Sequence, residues 1–257
     1  MENKTSMPEF IHHSIELPNG EFTRAGVPLL ANSGKMKSAK RILDGFFKSE
    51  DPSKTTVIDL GCMEGGTTLE FARWGYKTLG LEARESNLER CRYMQSKMNL
   101  PNLHFVKDNM LNVEAHGKFD IIYASGVLYH VKDPVDFIEI LSRATKSVLI
   151  LNTHYASDPP PPKTAAKLGE MTEYKGRKGQ WFSEWPDPID QIQLEGRRKA
   201  AYDTHRAFWL AKDELLDALK VAGFDLVFEQ YDQMGRIVKQ FPKWRENARQ
   251  QFVAIKL

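Results

Sequence analysis

The hydrophobic pattern of the chain switches repeatedly between short apolar runs and helical spacing. Thr55 to Leu60, Lys77 to Glu82, Leu103 to Lys107, Phe119 to Ala124 and Ser147 to Asn152 are apolar runs of strand length. Between them, Thr67 to Trp74, Ser86 to Met98 and Asp133 to Ala144 carry helical patterns. Gly75 closes the first, Ser86 is the expected N-cap of the second, and Pro134 opens the third. Strands alternating with helices predict right-handed crossovers and a parallel sheet.

Two flanking regions break this rhythm. Residues 1–50 read as an N-terminal arm and helix. Turn signals (Pro18-Asn19-Gly20, Gly26, Pro28, Gly34) precede Met36, Ala39, Ile42, Leu43, Phe46 and Phe47 at helical spacing. The remainder, 51–257, reads as one domain. Within it, 153–209 holds four consecutive prolines, Pro159 to Pro162, among aromatic and charged residues. That is too long for a plain connection. It predicts an inserted lid after the fifth strand, without clean strands and with some helix, for instance Glu195 to Tyr202. The rhythm resumes with a helix from Lys212 to Ala222, closed by Gly223. Phe224 to Tyr231 and Gln251 to Leu257 then read as strands able to pair as a hairpin at the sheet edge.

Composition changes this picture little. The 257 residues are 41% hydrophobic and 27% charged, ordinary for a globular chain with a sizeable core. A net charge of +2 does not point to nucleic acid, though it leaves room for a local basic patch. Cys62 and Cys91 make no disulfide framework, and no CxxC or clustered Cys/His spacing suggests a metal. No apolar run reads as a signal peptide or membrane span, so a reduced, cytoplasmic setting is expected.

The chemistry concentrates at Val57 to Gly66. A strand leading into a glycine turn and then a helix presents backbone N–H groups to a nucleotide-like ligand. Glu82 lies 21 residues after Gly61, at the end of the next strand, where an acid can accept from ribose hydroxyls. A dinucleotide fold would want G-x-G-x-x-G, and Gly61-Cys-Met-Glu-Gly65-Gly66 lacks that spacing.

Asp59-Leu-Gly-Cys-Met-Glu-Gly65 resembles the first motif, D-x-G-x-G-x-G, of class I S-adenosylmethionine (SAM) dependent methyltransferases. Glu82, Lys107-Asp-Asn109 and the run from Phe119 to His130 match that family's later motifs. The resemblance covers roughly 55–152 and 210–257. It implies an α/β, Rossmann-like, seven-stranded and mostly parallel sheet with an antiparallel last strand. It also implies SAM as cofactor, held by Asp59, Gly61, Cys62, Met63, Gly65, Glu82, Ala83, Asp108, Asn109, Met110 and Ser125. One departure is Met63, where the family carries glycine. A shorter likeness, at His13 to Gly20 and Glu173 to Arg177, is to relatives of the tRNA wobble-uridine carboxymethyltransferase.

Methyl transfer is an in-line displacement from an activated donor, so positioning supplies much of the rate. An O–H or N–H acceptor can still call for a base. His130 and His154 follow the fourth and fifth strands, where ligands gather in open α/β sheets. They are the catalytic candidates, although a lone histidine is as readily a packed hydrogen-bonding residue. His13, Tyr129, Tyr155, Tyr174, Arg177, Trp181 and Arg206 are the acceptor-binding candidates. Their mix of rings and cations suits an aromatic or anionic acceptor, or the stacked bases of an RNA loop. Three readings follow: an O- or N-methyltransferase acting on a small molecule, a tRNA methyl- or carboxymethyltransferase, and a non-catalytic SAM-binding module.

Overall fold

The computed structural model describes residues 6–232 and 248–257. The first five residues of the arm and the connection between the two late strands lie outside them. Seven strands form the central sheet: β1 (Thr56–Leu60), β2 (Lys77–Glu82), β3 (Leu103–Lys107), β4 (Phe119–Ser125), β5 (Thr145–His154), β9 (Leu226–Gln230) and β10 (Arg249–Ile255). Their spatial order is β3-β2-β1-β4-β5-β10-β9. The strand order reverses between β1 and β4, which opens a crevice at their C-terminal ends. β10 runs antiparallel to both β5 and β9. The late strands therefore pair as the sequence suggests, with β10 set inside the sheet and β9 at its edge.

Period-two alternation buries both faces of the sheet. Ile58, Ile122, Leu149 and Phe252 face α4 (Pro134–Ala144) and α6 (Lys212–Val221) through Phe137, Leu141, Leu215 and Leu219. Val57, Ile121, Ile150 and Val253 face α1 (Gly34–Phe46) through Met36, Ala39 and Leu43. α2 (Gly66–Arg73) and α3 (Glu85–Met98) enclose Leu69, Met94 and Met98 with Phe10, Ile15 and Leu17 of the arm. Ser86 is not the N-cap of α3. Arg84 holds that place, and the Ser86 hydroxyl is buried within the first turn.

The lid departs most from expectation. It contains a three-stranded antiparallel sheet of β6 (Thr172–Tyr174), β7 (Arg177–Ser183) and β8 (Arg206–Leu210). Its hairpin turns at Lys175 and Gly176, both at positive φ, as a two-residue type I′ turn requires. The lid helix is α5 (Gln191–Gly196), capped by Asp190, rather than Glu195 to Tyr202. The chain leaves the helix at Gly196, and residues 197–203 become a non-helical strap. The lid sheet docks on the turn after β4: Trp209 Nε1 donates to the Tyr129 carbonyl at 2.8 Å, and the Phe208 N–H to that of Val131 at 3.1 Å. Among the described residues, no helix is long and apolar enough to cross a membrane.

Candidate active site

The turn from Gly61 to Gly66 is where strand β1 becomes helix α2, and it keeps its shape despite Met63. Met63 sits at φ +52°, a left-handed conformation that costs a non-glycine residue about 1–2 kcal/mol. Its N–H donates to Glu82 Oε2 at 2.8 Å. The other Glu82 oxygen accepts from the Arg84 N–H at 2.9 Å. Glu82 thus ties the glycine turn to the end of β2 while each oxygen keeps a lone pair. Burial pushes its carboxyl up, against the pull of these two N–H groups. Gly65 is required by packing as well as by φ +75°, since a Cβ there would lie 2.6 Å from the Phe105 ring.

A cavity of about 250 Å³ opens over this turn, at the C-terminal ends of β1, β2 and β4. Of the expected cofactor-binding residues, Gly61, Met63, Glu82, Ala83, Asp108, Asn109, Met110 and Ser125 line it. Asp59, Cys62 and Gly65 do not. The Asp59 carboxylate turns to α2 and accepts from Thr68 Oγ1 at 2.8 Å, and burial pushes it up to about 7. The Cys62 thiol turns to α3, 4.0 Å from the Cys91 sulfur, and burial pushes both thiols up. Asp108 faces the cavity but is held by its own loop, accepting from Asn112 Nδ2 and bonding His116 Nε2, each at 2.7 Å. Its partial burial would raise the carboxyl, and these hydrogen bonds outweigh that and lower it.

The donor set suits SAM. Glu82 and Asp108 offer acceptors at one end, where ribose hydroxyls and an adenine amine would donate. Lys35 offers a cation at the other, with its Nζ 3.3 Å from Ser125 Oγ. Burial, with Arg249 nearby, pushes the Lys35 ammonium down to about 8, and Asp59 opposes that shift.

Lys35, Arg249, His12 and the strap residues Arg198 to Asp203 line the same cavity, and none of them stood among the expected cofactor-binding residues. Lys35 did leave a signal. It lies in the first turn of α1, where the helix macrodipole disfavours a cation, so a tertiary reason was to be expected. The strap left none. It is pinned by long-range contacts, from Arg84 Nη2 to the Ala201 carbonyl at 2.9 Å and from Asn109 Nδ2 to Asp203 at 2.7 Å.

A second cavity, about 470 Å³, shares Tyr129, His130, Arg198, Lys199 and Ala200 with the first. The two histidine candidates divide here. His130 belongs to the shared wall, and its Nδ1 lies 2.6 Å from Glu184 Oε1. His154 lines only the second cavity, stacked on Trp209 at 4.8 Å between centroids.

Of the seven acceptor-binding candidates, only Tyr129 reaches either of these cavities. Arg177 is drawn into ion pairs with Glu214 and Asp217 on α6. Tyr174 donates to Asp133 at 2.8 Å and packs with Trp181 against Phe208. Arg206 lies over the Trp181 ring at 4.4 Å and faces a separate groove beside α4. Tyr155 packs on Phe252. In each case a nearby charge or ring claims the side chain first.

His13 is buried beside α2, its Nδ1 accepting the Gly66 N–H at 3.1 Å. Neither segment of the shorter tRNA-enzyme likeness therefore brings its marker residue, His13 or Arg177, to the two cavities. Burial, then the charges of His12, Lys35 and Lys199, push His13 from 6.5 down to about 3. A depressed base is neutral in the fold, and the unfolded chain binds the extra proton between these values. Stability from His13 is therefore fully present above pH 6.5 and is lost as pH falls toward 3. About 2 kcal/mol should go between pH 7 and pH 5. Urea midpoints of the wild type and His13→Gln at both pH values check this, and equal acid losses would refute it.

The methyltransferase domain family matches residues 51–203. The ubiquinone biosynthesis O-methyltransferase of Ruegeria sp. (strain TM1040) is 30% identical over 93 residues, 35% of this chain and 37% of that protein. The chain thus spans little more than a third of the length of that relative. Among solved structures, the N-terminal domain of EvdMO1 in the presence of SAH and D-fucose superposes with a TM-score of 0.63 at 20% identity, covering 94% of this chain and 88% of that one. The 1,6-didemethyltoxoflavin-N1-methyltransferase of Burkholderia thailandensis gives 0.54 at 15% identity, covering 88% and 80%. At such identities the likeness is one of fold. The family match takes in more than half of the chain and coincides with the strands that build the glycine turn and Glu82. The chain therefore belongs to the methyltransferase domain family.

Proposed function

We propose that the chain moves a methyl group from SAM to an oxygen or nitrogen of a small-molecule acceptor. The observation carrying this reading is the shared wall: the Glu82 cavity and the second cavity meet at Tyr129 and His130. SAM supplies a methyl already bonded to a cationic sulfur. Glu82 would hold its ribose hydroxyls, Asp108 its adenine amine and Lys35 its carboxylate. The protein then has two tasks left, aligning the acceptor and taking its proton.

His130 is placed for the second task. Glu184 is buried and fixes Nδ1 as the protonated nitrogen, which leaves the Nε2 lone pair as the base. His130 Nε2 would take the proton of an acceptor O–H and Glu184 would stabilise the resulting imidazolium, while bound SAM would supply the methyl group, its carbon–sulfur bond breaking to leave neutral S-adenosylhomocysteine. Cavities of this size suit a small molecule.

Glu82→Gln tests the donor assignment. A charged acceptor of two ribose hydrogen bonds is lost, and the Met63 turn loosens with it. Affinity for S-adenosylhomocysteine (SAH) by calorimetry should fall about 30- to 100-fold, from ~2–3 kcal/mol. An unchanged affinity would remove Glu82 from the site.

A further inference from the structure

The second cavity has two features that donor binding does not use. One wall is a ladder of parallel rings. His154 stacks on Trp209 with 4.8 Å between centroids and planes 13° apart, and Phe182 stacks on Trp209 at 4.6 Å and 16°. Lys167 Nζ lies 5.5 Å from the Phe182 centroid. Around this ladder stand Lys167, Arg197, Arg198 and Lys199, against one acid, Glu184. Glu184 is already engaged: one oxygen bonds His130 and the other accepts the Ala201 N–H at 3.2 Å. It cannot neutralise four cations.

Arg198 makes the imbalance specific. Its Nη1 is enclosed by protein and has no hydrogen-bond partner. Among the described residues no acid pairs with its guanidinium, so an oxyanion reaching another of its N–H groups would supply the missing counter-charge. SAM does not require Arg198. The donor brings a single carboxylate, offset by its own ammonium, and Lys35 and Arg249 already line the first cavity. Arg198 stands in the wall that both cavities share, as do Tyr129 and His130.

We propose that the second cavity binds an aromatic molecule bearing an anionic oxygen group, its ring against the partly exposed Phe182 and His154 and its oxyanion on Arg198. Given the methyl-transfer reading above, on which this identification rests, that molecule is the acceptor. The planar guanidinium suits a carboxylate or a phosphate, both of which present paired oxygens. The flat rings suit an aryl group.

The test is a calorimetric titration of the full chain, with and without saturating SAH, using benzoate, phenyl phosphate and the neutral isostere benzamide. Benzoate or phenyl phosphate should bind at least about 10-fold more tightly than benzamide, and whichever is tighter names the oxyanion. Arg198→Met should cost the anion at least about 10-fold and leave benzamide unchanged. Phe182→Leu should weaken all three ligands together, as loss of a ring from the cavity wall demands. Equal affinity for benzamide and the anions, no binding of either anion, or an Arg198→Met variant that binds as the wild type does would each overturn the proposal. SAH binding is read in the same experiment. Its failure would count against the donor assignment, whereas anion failure with SAH bound counts against this inference alone.

Discussion

His130→Ala should lower kcat by about 10²- to 10⁴-fold on an O–H acceptor, with SAH affinity changed by no more than a few-fold. His130 closes a short turn after β4, and its Nδ1 is 2.6 Å from a carboxylate that is itself buried. A carboxylate at this distance favours the Nδ1–H tautomer, which would leave Nε2 as the proton acceptor of a residue in the wall between the cavities. Alanine removes the proton acceptor but leaves Glu82, Asp108 and Lys35 in place. Glu184→Gln should act in the same direction and less strongly, because the amide still bonds the ring but no longer stabilises its charged form. Single-turnover rates with SAM check both variants, and SAH calorimetry confirms that the donor site is intact. A His130→Ala enzyme retaining a third or more of wild-type kcat would exclude His130 as the base.

Glu64→Ala should destabilise the protein by about 3–5 kcal/mol, a large share of the stability of an ordinary domain. Glu64 is fully buried inside the glycine turn. Its carboxylate accepts three consecutive backbone N–H groups of the arm, from Ile11 at 2.6 Å, His12 at 3.0 Å and His13 at 2.8 Å. Arg90 on α3 stands 4.0 Å away as its buried counter-charge. Alanine leaves three donors and the buried Arg90 without their carboxylate, and the desolvation cost falls most on the enclosed His13 N–H and on Arg90. The effect should reach function, because the same contacts place His12 in the wall of the donor cavity. Urea denaturation should show the loss. Limited proteolysis should cut the arm of the variant faster, and SAH affinity should fall. A midpoint within experimental error of the wild type would show that the arm is held by its apolar contacts alone.

These two residues mark how far the chain could be read in advance. His130 was visible because it follows a strand in a recognisable motif. Glu184, which gives His130 its orientation, was not, because it lies 54 residues away in the lid and meets His130 only in space. Glu64 stood in plain sight within the glycine turn. Its role depends on backbone N–H groups about 50 positions earlier, and no local pattern announces such a contact.

The sheet itself was legible from end to end. Period-two burial and helical spacing are local consequences of covering both faces of a strand layer, and they are written into consecutive residues. The glycine turn, with Glu82 at the end of the next strand, is likewise a short-range arrangement. It was readable even with Met63 in a place that favours glycine. The lid was misread because its strands are short and its pairings distant. Only the Lys175-Gly176 turn carried a local mark of its hairpin. The acceptor candidates failed for a related reason. A ring or a cation in the sequence has no address, and in the fold Asp133, Glu214 and Asp217 reached Tyr174 and Arg177 first. Local pattern determined the layered α/β frame, and the family resemblance of the glycine turn pointed to the proposed donor end of the site. Tertiary packing decided the rest, because the strap, the ring ladder and the Glu184–His130 pair exist only where distant segments meet.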